Sequence, residues 1–253
     1  MSIFSTKIAL AESVHQMIIN KAPSAIDRRS CLALFVGCAA LSMIGCAPYL
    51  PDYRYRLTVE VDTPSGIRSG SSVIQVASHV SSKFSLAPGD VTTQVTGEAV
   101  AVDLPGGKTL FALLTKPDSA EGANAYAFDA LISRPWVGWK EYVADVNTLT
   151  KRRDVGMLPT EGWPMLVTFG DISDPTSVAG VDPENLENQF GPGVKIRRIT
   201  VQITQEPVTK GLRERLRWLR EYPEPSLKRA HNMNDFSVSA TLRHGDFIRT
   251  PGE

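Results

Sequence analysis

Between Tyr53 and Val61 the chain alternates strictly: Tyr53, Tyr55, Leu57, Val59 and Val61 are apolar, with Arg54, Arg56, Thr58 and Glu60 between them. Successive side chains of a strand point to opposite faces, so this period of two demands a strand with one buried face and one wet face. Such a strand needs a partner. "DTPSG", Asp62–Gly66, is a turn in which proline and glycine preset the backbone dihedrals, and "IRSGSSVIQV", Ile67–Val76, returns as the second strand of a hairpin.

Period and turn chemistry organise the middle of the chain as well. "GEAVAVDL" and "KTLFALL" form a second hairpin around "PGG", Pro105–Gly107, whereas residues 77–96 are Ser/Thr-rich and weakly patterned and read as a surface excursion. Asn124–Ser133 is expected to be helical, with Tyr126, Ala127, Ala130 and Leu131 along one side, ending before Pro135. "WPMLVTFGD" and "VKIRRITVQIT", Val194–Thr204, are further strands. In the latter the apolar phase slips between Ile196 and Ile199, which a bulge at Arg197-Arg198 would explain. Residues 170–193 read as an aperiodic Pro/Gly/Asp-rich loop, and 223–253 as a polar tail whose composition favours disorder. Hairpins outnumber helices, so the expected fold is β-rich and mainly antiparallel: a small sandwich, or a sheet with one or two flanking helices.

Upstream, Arg28-Arg29 precede sixteen uncharged residues, Cys31–Cys46. A helix spanning a bilayer needs about 20 apolar residues, and an export signal about 7–15 behind a positive flank. The run ends in "MIGC", Met43–Cys46, which resembles a bacterial lipobox, although Met43 and Ile44 stand where leucine and a smaller residue are preferred. The resemblance implies cleavage after Gly45 and acylation of Cys46, the lipid attachment site. Acyl chains contribute about 0.8 kcal/mol per buried methylene to membrane affinity. Cysteine usage agrees: Cys31 and Cys38 lie in the leader, and the 207 residues after Cys46 contain none. An uncleaved anchor and a cleaved secreted form are the alternatives. Met17 is a tidier start than Met1, and the arginine pair leaves ordinary and twin-arginine export both open.

Three runs, "YRYRLTVEVDTPSGIRSGSSVIQV", "GEAVAVDLPGGKTLFALL" and "PMLVTFGDISDPTSVAGVDPENLENQFGPGVKIRRITVQIT", resemble segments of a group of uncharacterised proteobacterial proteins, over about 80 residues. That resemblance implies a bacterial origin and one compact domain, and carries no activity. The expected organisation is 1–45 signal peptide, 46–52 lipidated tether, 53–222 β-rich globular domain and 223–253 tail. Ala47 follows the cysteine where an aspartate would favour inner-membrane retention, which implies an outer-membrane location facing the periplasm; inner-membrane anchoring and a periplasmic location are the alternatives.

Chemistry is less legible. The chain has 27 basic and 27 acidic groups. Lys7, Lys21, Arg28, Arg29, Glu12 and Asp27 precede Cys46, so 23 basic and 25 acidic groups remain after it, with none of the broad positive field that nucleic-acid binding demands. Ser69, Ser71 and Ser72 lack the G-x-S-x-G spacing of a nucleophile elbow and read as the solvent face of a strand. His79, His231 and His244 have no metal-ligand spacing, and no cofactor is expected. Asp171, Asp174, Asp182, Glu184 and Glu187 offer oxygen ligands for calcium, or turn and cap chemistry. Trp136, Trp139 and Trp163 suit either a stacking platform or a core. In Lys210–Glu221, read as a helix, Leu212, Leu216 and Leu219 share a side while Arg213, Arg217 and Arg220 form a basic stripe, a solvated face with Arg217 paired to Glu221 or a lipid-facing one. Together these features read as a cell-envelope lipoprotein with a non-enzymatic binding or scaffolding domain. Its expected partners are the membrane, through the lipid, and envelope proteins. The competing reading is an envelope hydrolase using carboxylates of the 170–193 loop.

Overall fold

The computed structural model describes residues 50–81, 90–117, 119, 121–132, 134, 138–220, 226–228 and 236–251. The first alternation folds as its period requires. Strand β1 (Tyr53–Thr63) buries Tyr53, Tyr55, Leu57, Val59 and Val61 and leaves the residues between them half-exposed. It pairs antiparallel with β2 (Gly66–Val80) across a tight turn, where Gly66 takes φ 108°, a left-handed value that glycine adopts without strain.

Residues 77–96 are not an excursion. Ala77–Val80 continue β2, and β3 (Val91–Glu98) pairs with it from Gln75 opposite Thr96 to Val80 opposite Val91. Threonines on the wet side of β3 dilute the apolar alternation, which is why the segment looks unpatterned; its connection, 82–89, lies outside the described residues. On the other side of β1 lies β9 (Lys195–Thr204), with a register shift that sets Glu60 opposite Arg198 and Val61 opposite Ile196. Arg197 is therefore the extra residue of a bulge at the arginine pair. With β6 (Val155–Met157) beside β9 and β10 (Ile248–Arg249) beside β3, the sheet order is β10-β3-β2-β1-β9-β6.

A single residue, Ala99, separates β3 from β4 (Val100–Asp103), so the chain passes directly from the first sheet into a second. β4 pairs with β5 (Thr109–Ala112), β5 with β7 (Leu166–Phe169), and β7 with β8 (Val178–Gly180), all antiparallel. β8, only three residues long, sits inside the segment expected to be a loop. The sheets approach closely at Gly70, where any Cβ would run into the Ala101 carbonyl.

The expected helix appears as α1 (Tyr126–Leu131), shorter than 124–133. A second helix, α2 (Trp139–Leu149), was not expected; it buries Tyr142, Asp145, Val146 and Leu149 at i, i+3, i+4 and i+7. Both helices join the core between the inner face of the large sheet and one face of the small sheet. Short helices α3 (Glu187–Phe190), α4 (Leu212–Arg215), α5 (Val238–Thr241) and α6 (His244–Phe247) complete the α-helices among the described residues.

The other face of the small sheet has its own cluster. Phe111, Leu113, Val167 and Phe169 pack there against Leu212, Leu216, Trp218, Leu219, Leu227, Leu242, Phe247 and Ile248. This corrects the expected disordered tail for the described residues after 222: they close a core. The long basic helix is corrected too. Leu216, at φ −103° and ψ 78°, breaks it into α4 and a 3₁₀ turn over Arg217–Arg220. Ala47–Glu253 is one compact unit, and among the described residues no helix is long and apolar enough to cross a membrane.

Candidate functional site

A cleft of about 830 Å³ opens beside α1 and α2. Its lining includes Thr93 of β3, Asn124, Phe128 and Asp129 around α1, Arg134, Tyr142 of α2, and Met157 of β6. Buried tyrosines fix the chain around it. The Tyr55 hydroxyl donates to the Ala123 carbonyl at 2.5 Å, and Tyr126 donates to the carbonyls of Leu113 and Thr115 at 3.1 and 3.0 Å. Burial pushes the pKa of both phenols well above 10.0, so they remain donors at any physiological pH.

The cleft wall combines a ring pair with two ion pairs. Phe128 and Tyr142 stack at 5.1 Å with 13° between planes. The Tyr142 hydroxyl meets Ser78 Oγ at 2.7 Å, and its pKa is raised by burial. Lys116 Nζ, on a side chain only 9% exposed, donates to Asp129 at 2.6 Å and lies 3.5 Å from Glu121. Arg134 donates to Asp145 Oδ1 at 2.5 Å; Asp145 is buried, and its Oδ2 has no hydrogen-bond partner among the described residues. Ion pairs beside an aromatic wall suit recognition of a mixed polar and apolar ligand. Among the described lining residues there is no Ser, His or Cys to serve as a base-paired nucleophile.

Sequence reasoning missed this cleft. Lys116, Asp129, Arg134 and Asp145 come from separate segments, and no short motif joins them. The one available signal was the period of Tyr142, Asp145, Val146 and Leu149, which marks α2 as a helix with a buried face.

The residues singled out from sequence lie elsewhere. Cys46, Trp136, Glu221 and His231 are outside the described residues. In the 170–193 segment four of the five candidate carboxylates serve local backbone. Asp171 accepts from Ser173 N–H and hydroxyl at 2.9 and 2.7 Å, Asp174 from Thr176 N–H at 2.9 Å, Asp182 from Glu184 N–H at 2.9 Å, and Glu187 from Gly193 N–H at 3.0 Å. The Ser173 hydroxyl and amide hold Asp171 below its ordinary 3.8, and the Asn185 amide and Glu184 N–H do the same for Asp182. A general acid at neutral pH needs the opposite shift. Glu184 is exposed, and among the described residues no group of three His, Cys, Asp or Glu could hold a metal ion.

The remaining candidates divide. Ser69 and Ser71 do lie on the wet face of β2, but Ser72 points into the core, and its hydroxyl has no partner among the described residues. His79 is exposed on β2, and the His244 ring nitrogen bonds the Leu219 carbonyl at 2.9 Å. The Trp163 indole donates to Leu158 O at 3.0 Å, Trp139 packs half-buried on the first core, and Lys140 lies over its ring. Leu212, Leu216 and Leu219 are buried as expected, whereas the helix break divides the arginine stripe and Arg220 pairs with Glu214 at 3.1 Å. No protein-family model matches the chain, and neither the curated proteins nor the solved structures contain a match to it.

Proposed function

We propose that this chain is an exported cell-envelope lipoprotein, anchored through Cys46 and facing the periplasm from the outer membrane, whose β-rich domain binds or scaffolds envelope proteins rather than catalysing a reaction. The observation that carries the reading is the ending Met43-Ile44-Gly45-Cys46 on an uncharged run behind Arg28-Arg29, in a chain with no later cysteine. The cleft supports the binding half. Its charges are paired, Asp145 being buried and the Lys116 side chain nearly so, an arrangement suited to holding a shape for a partner. Asp171, Asp174, Asp182 and Glu187 accept hydrogen bonds from their own loops. Asp171 and Asp182, held low by their hydrogen bonds, lend no support to acid–base chemistry.

The test is direct. Cys46→Ser should abolish labelling by a palmitate analogue and leave an uncleaved precursor. Undiminished labelling, or an unchanged mature mass, overturns the lipoprotein reading.

A further inference from the structure

The end of the large sheet at which the chain enters the domain is a basic rim. β1 starts there and β9 ends there, Arg54 standing opposite Thr204. The C-terminal end of α2 comes down beside them: Thr150 shares a hollow of about 250 Å³ with Pro51, Asp52, Arg54 and Gln205. Gln202 Nε2 donates to the Arg153 carbonyl at 3.3 Å, which ties the segment Lys151-Arg152-Arg153 to the end of β9.

Not every charge on this rim is free. Arg152 is bound to Asp154 through two nitrogens, at 2.9 and 2.5 Å, and Arg56 is paired with Glu206. Among the described residues Arg153 donates only to the carbonyls of Thr150 and Arg152, and Arg54 to the carbonyl of Glu206. Lys151 is exposed, with no carboxylate partner among the described residues. Among the described residues three cations therefore have no carboxylate partner, against two carboxylates without an ion pair at this end of the sheet: Asp52, which accepts from Gln75, and the exposed Asp90 before β3, two strands away from β1. Beside them Val155, next after Asp154, is 57% exposed at the edge of the sheet.

We propose that this rim rests on the anionic head groups of the membrane that holds Cys46. The inference builds on the lipoprotein reading and adds an orientation to it. Leu50 is already buried in the first core. The four residue steps from Cys46 to Leu50 span at most about 14 Å when fully extended. A lipidated Cys46 thus keeps the rim within reach of the head-group layer, where phosphates attract Lys151, Arg153 and Arg54. The opposite end of the same sheet, at Lys195 beside Asp62, points away.

Lysine footprinting separates the two ends. A form beginning at Cys46 is coupled through its thiol to a maleimide lipid, which makes the outcome independent of acylation in cells. On vesicles of phosphatidylglycerol and phosphatidylcholine, Lys151 should lose several-fold in acetylation rate relative to the untethered protein, while Lys195 should be unchanged. Arg153→Glu or high salt should restore Lys151. Equal Lys151 rates on anionic and purely neutral vesicles overturn the proposal. So does protection seen only in native envelopes, which would assign the rim to a protein partner. Palmitate labelling in cells reports separately on the lipoprotein reading.

Discussion

In β1 burial alternates residue by residue, whereas every residue of β7 is buried. Along β1 the large sheet keeps one face wet, with Arg54, Arg56, Thr58 and Glu60 outward, and that strand needs covering on one side only. The small sheet has a core on each face: Leu110, Ala112, Leu114 and Leu166 on one, Phe111, Leu113, Val167 and Phe169 on the other. A strand buried on both faces has no polar phase, so its period disappears from the sequence. It also depends on two coverings instead of one.

Paired alanine substitutions would break this comparison most forcefully. In β5 the neighbours Leu110→Ala and Phe111→Ala should both destabilise, each by about 3–5 kcal/mol, since each empties a different core. In β1 Leu57→Ala should cost a similar amount, while its neighbour Thr58→Ala should stay within about 0.5 kcal/mol. Urea midpoints measure all four. A near-neutral Leu110→Ala or Phe111→Ala would mean that the small sheet has only one packed face.

The contact between the sheets gives an intermediate effect. Gly70→Ala drives a methyl group into the Ala101 carbonyl, and the forced separation should cost about 1–3 kcal/mol in thermal or urea unfolding. An unchanged midpoint would show that the sheets are not locked together at that point.

The smallest effect is electrostatic. Asp103 on β4 accepts from Arg215 Nη2 at 2.6 Å and Thr109 Oγ1 at 2.9 Å, and the Arg215 hydrogen bond holds it below its ordinary 3.8. A lowered folded-state pKa means that the stabilisation is present above 3.8 and is lost as pH falls through the lower folded value. The pair is largely exposed, so its worth is about 0.2–1 kcal/mol. Arg215→Gln should flatten the pH dependence of stability below pH 3.8 by that amount; an unaltered acid limb would remove the pair from the stability of the small sheet.

Legibility follows the same division. β1 was readable because each outward position is polar, and the bulge at Arg197 because the phase visibly slips across it. The β4–β5 hairpin was readable through its Pro-Gly-Gly turn. β8 is too short to carry a period. The arginine stripe was misread because Leu212, Leu216 and Leu219 satisfy helical spacing, yet all three remain buried on a chain that breaks at Leu216. The C-terminal part was misread because Leu227, Leu242, Phe247 and Ile248 are sparse anchors among polar residues. The cleft was invisible because Lys116, Asp129, Arg134 and Asp145 are joined only by the fold.

The covering of the small sheet has a consequence in time. The amide of Ala99 donates to Phe247 O and that of Leu114 to Asp246 O, both at 2.8 Å, and Ile248 sits opposite Glu98. A chain made from its N-terminus forward builds β4, β5 and β7 long before these anchors exist. Until then Phe111, Val167 and Phe169 form a sticky surface open to chaperones and proteases. Chains that stop short of Phe247 would leave that surface covered only in part, by Leu212, Leu216, Trp218, Leu219, Leu227 and Leu242. Arrival of Asp246, Phe247 and Ile248 is thus the event that closes the second core.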